Sequence, residues 1–393
     1  MNLRCLSILV LLILATLSRA ADAAADFPVA TPESEGLQSQ ALVKASQFIR
    51  EGGHDVRSVL VLRNGRLILE WYAGGITREH NHNLYSITKS VVATLVGLAV
   101  DQGRIRDRSV TLGETLNVNN PRKAGITLQD LLTMRSGFPA ARAIKPTGPE
   151  RDLFTRINRA DDRVAAILDE VEMAREPGRR FQYGNIDPQL ALAMLEKATG
   201  AKAIAYARQT LFEPLGFQNA SWDYPDQTGR VPGGYGVRLR TVDLAKLGQL
   251  YLDKGRWQGR QILSESWIAA AGRDQTGTGY GFYWWVDRKA GSFSGLGVRG
   301  QRLDVFPHRR LVIAINSELP QADVQPVLRK LVREHLLKAI VSDQALPADP
   351  AGVAALRREL KRAAEYVPAT RRKLVPARLP RGPDGAVEPS GQK

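Results

Sequence analysis

Two groups of predicted strands lie far apart in this chain, and their separation constrains the fold more than any other feature. Residues 57–62 and 67–72 flank Arg63-Asn64-Gly65-Arg66, and an Asn-Gly pair between β-rich runs predicts a hairpin. The other β-rich runs come near the C-terminus, at residues 280–286, 292–297, 301–306 and 311–316. A lone hairpin is only marginally stable in water, so its strands are expected to complete the C-terminal sheet.

Helical periodicity fills most of the sequence between and around those strands. The predicted helices cover residues 37–50, 86–100, 127–132, 161–174, 188–199, 201–212, 241–252, 264–271 and 323–340. Long turn-rich stretches at 138–152 and 176–188 separate some of them. The order predicts an α/β protein with an antiparallel central sheet flanked by helices and a helical domain, at about residues 104–220, inserted into it.

The first 23 residues have the pattern of a secretory signal. Arg4 precedes an apolar run at residues 5–17, which is too short to span a bilayer and is followed by small-residue cleavage sites. An uncleaved anchor is the alternative, and no later run is long and apolar enough for a membrane span. Cleavage would remove Cys5, the one cysteine, so the mature protein is expected to lack thiols and disulfides and to be periplasmic or secreted.

Charge gives little information about a partner. The formal net charge is +15, and residues 346–393 form a basic Pro/Arg-rich tail that we expect to be poorly ordered, with at most one helix, at residues 353–366. The charge either attracts the protein to anionic envelope polymers and lipid headgroups or reflects an arginine-rich composition alone. No motif indicates nucleic-acid binding, and no cluster has metal-ligand spacing, so neither a metal nor another cofactor is expected.

Ser86-Ile87-Thr88-Lys89 opens the apolar helix at 86–100. Residues three apart on a helix share a face, which places the lysine amine beside the serine hydroxyl. A neutral lysine in that position can activate the serine as a nucleophile, and burial would lower the lysine pKa as this requires. The alternative is that Ser86 caps the helix and Lys89 lies on the surface. A second match at 390–393 follows Gly and Pro residues and is accidental.

Tyr183-Gly184-Asn185 is a second candidate motif, between a turn and the predicted helix at 188–199. A tyrosine hydroxyl can pass a proton between nucleophile and leaving group, and an asparagine amide can hydrogen-bond a substrate. A core tyrosine beside a turn asparagine is the alternative interpretation.

These motifs resemble the serine β-lactamase-related superfamily, which includes class C β-lactamases, D-alanyl-D-alanine carboxypeptidases, esterases and aminohexanoate-oligomer hydrolases. The resemblance covers about residues 37–340. It is carried, in order, by Ser86-Ile87-Thr88-Lys89, ITLQDLLTMRSG at 126–137, PGRRFQYGN at 177–185, EPLG at 213–216, TVDLAKLG at 241–248 and Gly300-Gln301-Arg302 leading to Pro307. It implies one hydrolase domain at 24–345, in which Ser86 forms the acyl-enzyme, Lys89 and Tyr183 share acid/base duty and Asn185 orients the substrate.

The family's third motif, Lys-Thr-Gly or His-Thr-Gly, corresponds here to Gly295-Leu296-Gly297. The basic residue and the hydroxyl that help to hold a substrate carboxylate are both absent. Their absence argues against efficient β-lactam or D-Ala-D-Ala recognition and favours a neutral or differently charged ester or amide. The resemblance places the oxyanion hole at the backbone N–H groups of Ser86 and Val298, after Gly297, where side-chain identity matters little. Arg299 either supplies the missing positive charge or faces solvent.

Several competing interpretations are weaker. Gly295-x-Gly297-x-x-Gly300 matches a dinucleotide-binding pattern but precedes a strand rather than a helix. No Gly-x-Ser-x-Gly elbow is present. His80 and His82 precede Ser86 and are expected to be solvated loop residues, with a position at the edge of the cleft as the alternative. The aromatic run at 280–285 is either core or, in part, a lining of the acyl pocket.

The sequence therefore predicts an exported serine hydrolase that cleaves a small-molecule ester or amide. A β-lactamase or carboxypeptidase is the nearest alternative, and a catalytically silent protein that binds envelope fragments is another. The oligomeric state stays open.

Overall fold

The computed structural model describes residues 26–142 and 148–372. The signal-like segment, Cys5 and the second Ser-x-x-Lys match lie outside the described residues. The strands are β1 Val56–Arg63, β2 Arg66–Tyr72, β3 Asn81–Asn83, β4 Ser221–Trp222, β5 Val237–Arg240, β6 Arg256–Trp257, β7 Arg260–Gln261, β8 Trp285–Asp287, β9 Ser292–Gly297, β10 Gln301–Phe306 and β11 Leu311–Ser317.

The central sheet has six antiparallel strands in the order β2-β1-β11-β10-β9-β8. Asn64 and Gly65 both have positive φ, 51° and 76°, as the tight turn between β1 and β2 requires. β1 pairs with β11, with Val59 opposite Ile315. The prediction that the hairpin completes the C-terminal sheet is confirmed. Two small sheets, β3-β5-β4 and β6-β7, lie outside it.

Helices cover both faces of the sheet. They are α1 Ser39–Glu51, α2 Thr88–Asp101, α3 Leu112–Leu116, α4 Pro121–Ala124, α5 Leu128–Leu132, α6 Pro149–Arg159, α7 Arg163–Ala165, α8 Ile186–Thr199, α9 Ala203–Ala207, α10 Thr241–Leu252, α11 Glu265–Ala271, α12 Gln321–Lys330, α13 Pro350–Glu365 and α14 Ala369–Arg372. Short π-helical segments continue α7 over Ala166–Glu170, α9 over Arg208–Phe212 and α12 over Leu331–Leu336.

A separate apolar core lies on each face of the sheet. Leu60 and Leu62 of β1 contribute to the core that contains α2, α8 and α10, while Val59 and Val61 contribute to the core with α1, α12 and α13. This alternation follows from the period of two along a strand. α2 is buried on nearly all sides, in keeping with its mostly apolar sequence, and its N-terminal end lies beside the sheet.

The structure corrects the predicted tail. Residues 350–365 form α13, which packs on α1, and the buried Glu359 accepts hydrogen bonds from Ser46 and Arg50 of α1 at 2.9 and 2.6 Å. The single helix allowed for at residues 353–366 is therefore present, but the expectation of a poorly ordered appendage is wrong for it, because its apolar face and its buried carboxylate both contact α1. Residues 373–393 lie outside the described part of the chain.

Two other predicted elements differ. The run at 280–286 is a strand only from Trp285, because Tyr283 has a φ of 59° and breaks the extended conformation. The turn-rich stretch at 138–152 overlaps the start of α6, which begins at Pro149 and which we did not predict. Across residues 26–142 and 148–372, no helix is both long and apolar enough to cross a membrane.

Candidate active site

Ser86 lies where the chain leaves β3 and enters α2. Tyr85–Ile87 form a single 3₁₀ turn between them, and Tyr85 has a φ of 46°, which is uncommon for a residue with a side chain. The side chain of Asn83 supports this conformation, because its Oδ1 accepts a hydrogen bond from the Tyr85 N–H at 2.9 Å. The turn leaves Ser86 partly exposed at the floor of a cleft.

Lys89 is only 1% exposed, and three oxygens surround its amine. Its Nζ lies 3.1 Å from Ser86 Oγ, 2.8 Å from Asn185 Oδ1 and 2.9 Å from the carbonyl oxygen of Gly234. All three acceptors are neutral, so burial is uncompensated and lowers the pKa of Lys89 to about 7. The alternative of a surface lysine is wrong, and the geometry is that of a lysine able to take the proton of Ser86.

Tyr183 lies close to both Ser86 and Lys89. Its ring centroid is 5.0 Å from Lys89 Nζ, and Tyr280 and Trp285 pack against the ring with centroids 6.0 and 5.3 Å away. Burial raises the pKa of Tyr183 to about 12, although its hydrogen bond with Ser86 opposes that shift. The phenol therefore stays protonated near neutral pH and can relay a proton.

Asn185 directly precedes α8 and bridges two parts of the site. Its amide nitrogen donates to the carbonyl oxygen of Ala141 at 2.8 Å, which turns its Oδ1 toward Lys89. The structure thus brings Ser86, Lys89, Tyr183 and Asn185 together around one cleft.

Gly234 is a site residue that the sequence analysis missed. A Cβ at this position would lie 2.3 Å from Asn185 Oδ1, so only glycine lets its carbonyl reach Lys89 without displacing Asn185. The Gly-rich run at residues 232–236 was the available signal.

The third motif lies on β9 beside the turn that holds Ser86. A Cβ on Gly297 would lie 2.6 Å from the carbonyl oxygen of Leu84, so this glycine permits the close approach. Val298 and Arg299 follow it and line the cleft. Arg299 faces solvent, which is one of the two alternatives left open by the sequence: its side chain is 58% exposed and is paired with Glu318 at 2.8 Å, at the border of the cleft.

The cleft above Ser86 has a volume of about 380 Å³. Its walls include the rings of Tyr85, Phe154, Tyr224 and Tyr235. The aromatic run at 280–285 does not line it. Instead, Tyr280 and Trp285 pack behind Tyr183, so these two rings position the tyrosine from the core side.

A buried carboxyl group links two of the segments that form the site. Asp187, in the first turn of α8, accepts hydrogen bonds from the hydroxyl and the N–H of Ser136 at 2.6 and 3.3 Å. Burial raises the pKa of Asp187 to about 7, and the bonds from Ser136 oppose that rise. The pair ties α8 to the loop that carries Ala141, and so acts on the orientation of Asn185.

His82 corrects another expectation. It lies on β3 opposite Leu239 and is 4% exposed, and burial, followed by the charges of His80 and Arg57, lowers its pKa to about 3. It is not a solvated loop residue, because pairing of β3 with β5 draws it inward. Within the described ranges, no group of three or more His, Cys, Asp or Glu residues could hold a metal ion.

An α/β sheet domain with a serine, a buried lysine and a tyrosine at one cleft defines the class: this is a serine hydrolase. The family model described as Beta-lactamase matches residues 45–337, and the chain belongs to this family.

Individual relatives agree with this assignment. The 6-aminohexanoate-dimer hydrolase of Paenarthrobacter ureafaciens is 25% identical over 287 residues, which cover 68% of this chain and 73% of the relative. A Bacillus anthracis structure named as a candidate 6-aminohexanoate-dimer hydrolase superposes with a TM-score of 0.66 at 22% identity, over 80% of this chain and 89% of that one. An octameric penicillin-binding protein homologue from Pyrococcus abyssi gives 0.62 at 18% identity, over 78% and 79%.

Proposed function

We propose that this protein hydrolyses ester or amide bonds of small molecules through an acyl-enzyme on Ser86. One observation carries the proposal. The buried Lys89 amine is hydrogen-bonded to Ser86 Oγ, and its two other acceptors, Asn185 Oδ1 and the carbonyl oxygen of Gly234, are also neutral. A lysine whose pKa is lowered to about 7 is neutral for about half of the time near pH 7 and can act as a base.

The proposed steps follow from the positions of these groups. Lys89 takes the hydroxyl proton as Ser86 Oγ attacks the substrate carbonyl carbon. The backbone N–H groups of Ser86 and Val298 are the proposed donors to the oxyanion. The Tyr183 phenol then passes a proton to the departing alcohol or amine, and water attacks the acyl-enzyme in the second half of the reaction.

Linear amides are the preferred substrate class within this proposal. The relative from Paenarthrobacter ureafaciens is named for a 6-aminohexanoate dimer, which favours an amide of that kind here. Gly295 supplies no cation where β-lactamases and carboxypeptidases of the family hold the substrate carboxylate, which argues against β-lactams and D-Ala-D-Ala peptides.

The test is a panel of three substrate types: p-nitrophenyl esters, the linear 6-aminohexanoate dimer, and a chromogenic cephalosporin, each with Ser86→Ala as control. We expect Ser86-dependent turnover of the esters, the linear amide or both, and slow turnover of the cephalosporin. Efficient cephalosporin hydrolysis would instead identify a β-lactamase, and no turnover of any substrate by folded protein would favour a silent binding protein.

We also propose that the protein is exported and loses residues 1–23, on the charged, apolar and small-residue pattern of that segment. N-terminal sequencing of protein recovered from the periplasm or medium tests this. An intact Met1 on all recovered protein would contradict it.

A further inference from the structure

We propose that the cleft binds a carboxylate of its substrate through Arg142, which rests on the function proposed above. Among the described residues that line the cleft, two are arginines, Arg142 and Arg299, and none is an aspartate or a glutamate. Each arginine is paired with a glutamate outside this lining, Arg142 with Glu150 and Arg299 with Glu318. The remaining described lining is aromatic or neutral, so the two guanidinium groups are the charged groups that border the cleft. Such a cleft favours an anionic ligand over a neutral one of the same shape.

The family position for a substrate-binding cation carries no side chain in this protein. A Cβ on Gly295 would lie 3.2 Å from both Ile87 Cγ2 and Ser90 Oγ, so a lysine or histidine there would require small shifts of the turn that holds Ser86 and of the start of α2. Any cation that binds the substrate therefore comes from another wall of the cleft.

Arg142 meets that requirement better than Arg299. Its side chain is 31% exposed, against 58% for Arg299, so a bond to a ligand is less screened by water and salt. Its Nε and Nη2 both donate to Glu150 Oε2, at 3.1 and 2.8 Å, which fixes the plane of the guanidinium from the α6 side. A fixed planar group loses little entropy when it binds a carboxylate.

Arg142 is also coupled to the reacting groups. It follows Ala141, whose carbonyl oxygen accepts the bond from Asn185, and its charge lowers the pKa of Tyr183 against the effect of burial. A carboxylate bound at Arg142 would therefore lie within the same cleft as the scissile bond. The substrate class is an ester or amide with a carboxylate elsewhere in the molecule.

Two matched pairs of esters test the proposal, because the carboxylate can lie on either side of the scissile bond. Mono-p-nitrophenyl glutarate is compared with p-nitrophenyl pentanoate, and 4-acetoxybenzoate with phenyl acetate. The readout is the ratio of kcat/KM for the anionic ester to kcat/KM for its neutral partner. We expect the wild-type ratio to favour the anion in at least one pair, and Arg142→Gln to lower that ratio by about 10-fold to 100-fold.

Further variants separate binding from folding. Arg142→Lys keeps the charge and is expected to give an intermediate ratio, whereas mere distortion of the loop would slow both esters and leave the ratio unchanged. Arg122→Gln is the matched control, because it removes an arginine from an exposed pair with Glu176 and should not alter the ratio.

Three results would overturn the inference: no preference for the anion in either pair, a ratio that Arg142→Gln leaves unchanged, or a larger loss with Arg299→Gln than with Arg142→Gln. In each of these cases the neutral esters are still hydrolysed and the proposed function stands. If none of the esters is hydrolysed by folded protein, the proposed function fails, and this inference fails with it.

Discussion

Asn185 presents its amide oxygen, rather than its nitrogen, to Lys89. The 2.8 Å bond from Lys89 Nζ to Asn185 Oδ1 is fixed by a second 2.8 Å bond, from Asn185 Nδ2 to the carbonyl oxygen of Ala141. The lysine thus has a polar partner without an opposite charge. A carboxylate in the same place would stabilise the ammonium and remove the base.

The rate of Ser86 acylation should depend on pH through Lys89. The pKa of this lysine is lowered to about 7 by burial, so its neutral form is lost as pH falls. We expect the second-order rate of reaction with a fluorophosphonate to drop about tenfold between pH 8 and pH 6. Lys89→Met should abolish this reaction of Ser86, so that no pH-dependent rate remains. A flat profile in the wild-type protein would show that Lys89 is not the titrating base.

Replacing Asn185 by aspartate should move that profile. A negative charge 2.8 Å from Nζ favours the ammonium, so we expect Asn185→Asp to shift the midpoint at least one pH unit upward and to slow acylation at neutral pH. Stopped-flow acylation across pH 6–10 measures the shift. Asn185→Ala is the comparison, since it removes the acceptor without adding charge. A midpoint unchanged in the aspartate variant would contradict the account.

Gly234→Ala should damage catalysis more than stability. The added Cβ would lie 2.3 Å from Asn185 Oδ1 and displace the amide that holds Lys89. We expect kcat/KM to fall about 100-fold or more, by analogy with the cost of misplaced catalytic groups. Gly125→Ala is the control, because its nearest atom would be 3.6 Å away. Equal losses in the two variants would argue against a specific role for Gly234.

Asp187 should make stability depend on pH. Its folded-state pKa is raised to about 7 from 3.8, so the folded protein holds this proton more tightly than the unfolded chain. The resulting stabilisation is present below about pH 4 and is lost as pH rises toward 7. Compared with Asp187→Asn, the wild-type free energy of unfolding should fall by about 3 kcal/mol over that range. Urea titrations of both proteins at several pH values measure the difference, and parallel curves would contradict it.

Local sequence patterns predicted part of this structure well. The Asn64-Gly65 turn, the strands that follow Ser292 and the spacing of Ser86 and Lys89 depend on neighbouring residues, and all appear at the predicted positions. The motifs that predict the class of protein also consist of residues that are close together in sequence.

Features that depend on distant partners were not predictable. The Gly234 carbonyl lies 145 residues from Lys89 in sequence, and the buried Glu359 lies 309 residues from Arg50. No periodicity in one segment encodes such a partner. For the same reason, neither the packing of α13 on α1 nor the burial of His82, which depends on β5, was predictable.

Intact-protein mass spectrometry after fluorophosphonate treatment tests the central claim most directly. Wild-type protein should gain one adduct at neutral pH, Ser86→Ala none, and Tyr183→Phe an adduct that forms more slowly. An adduct on the Ser86→Ala variant, or none on folded wild-type protein, would contradict the assignment of Ser86 as a lysine-activated nucleophile.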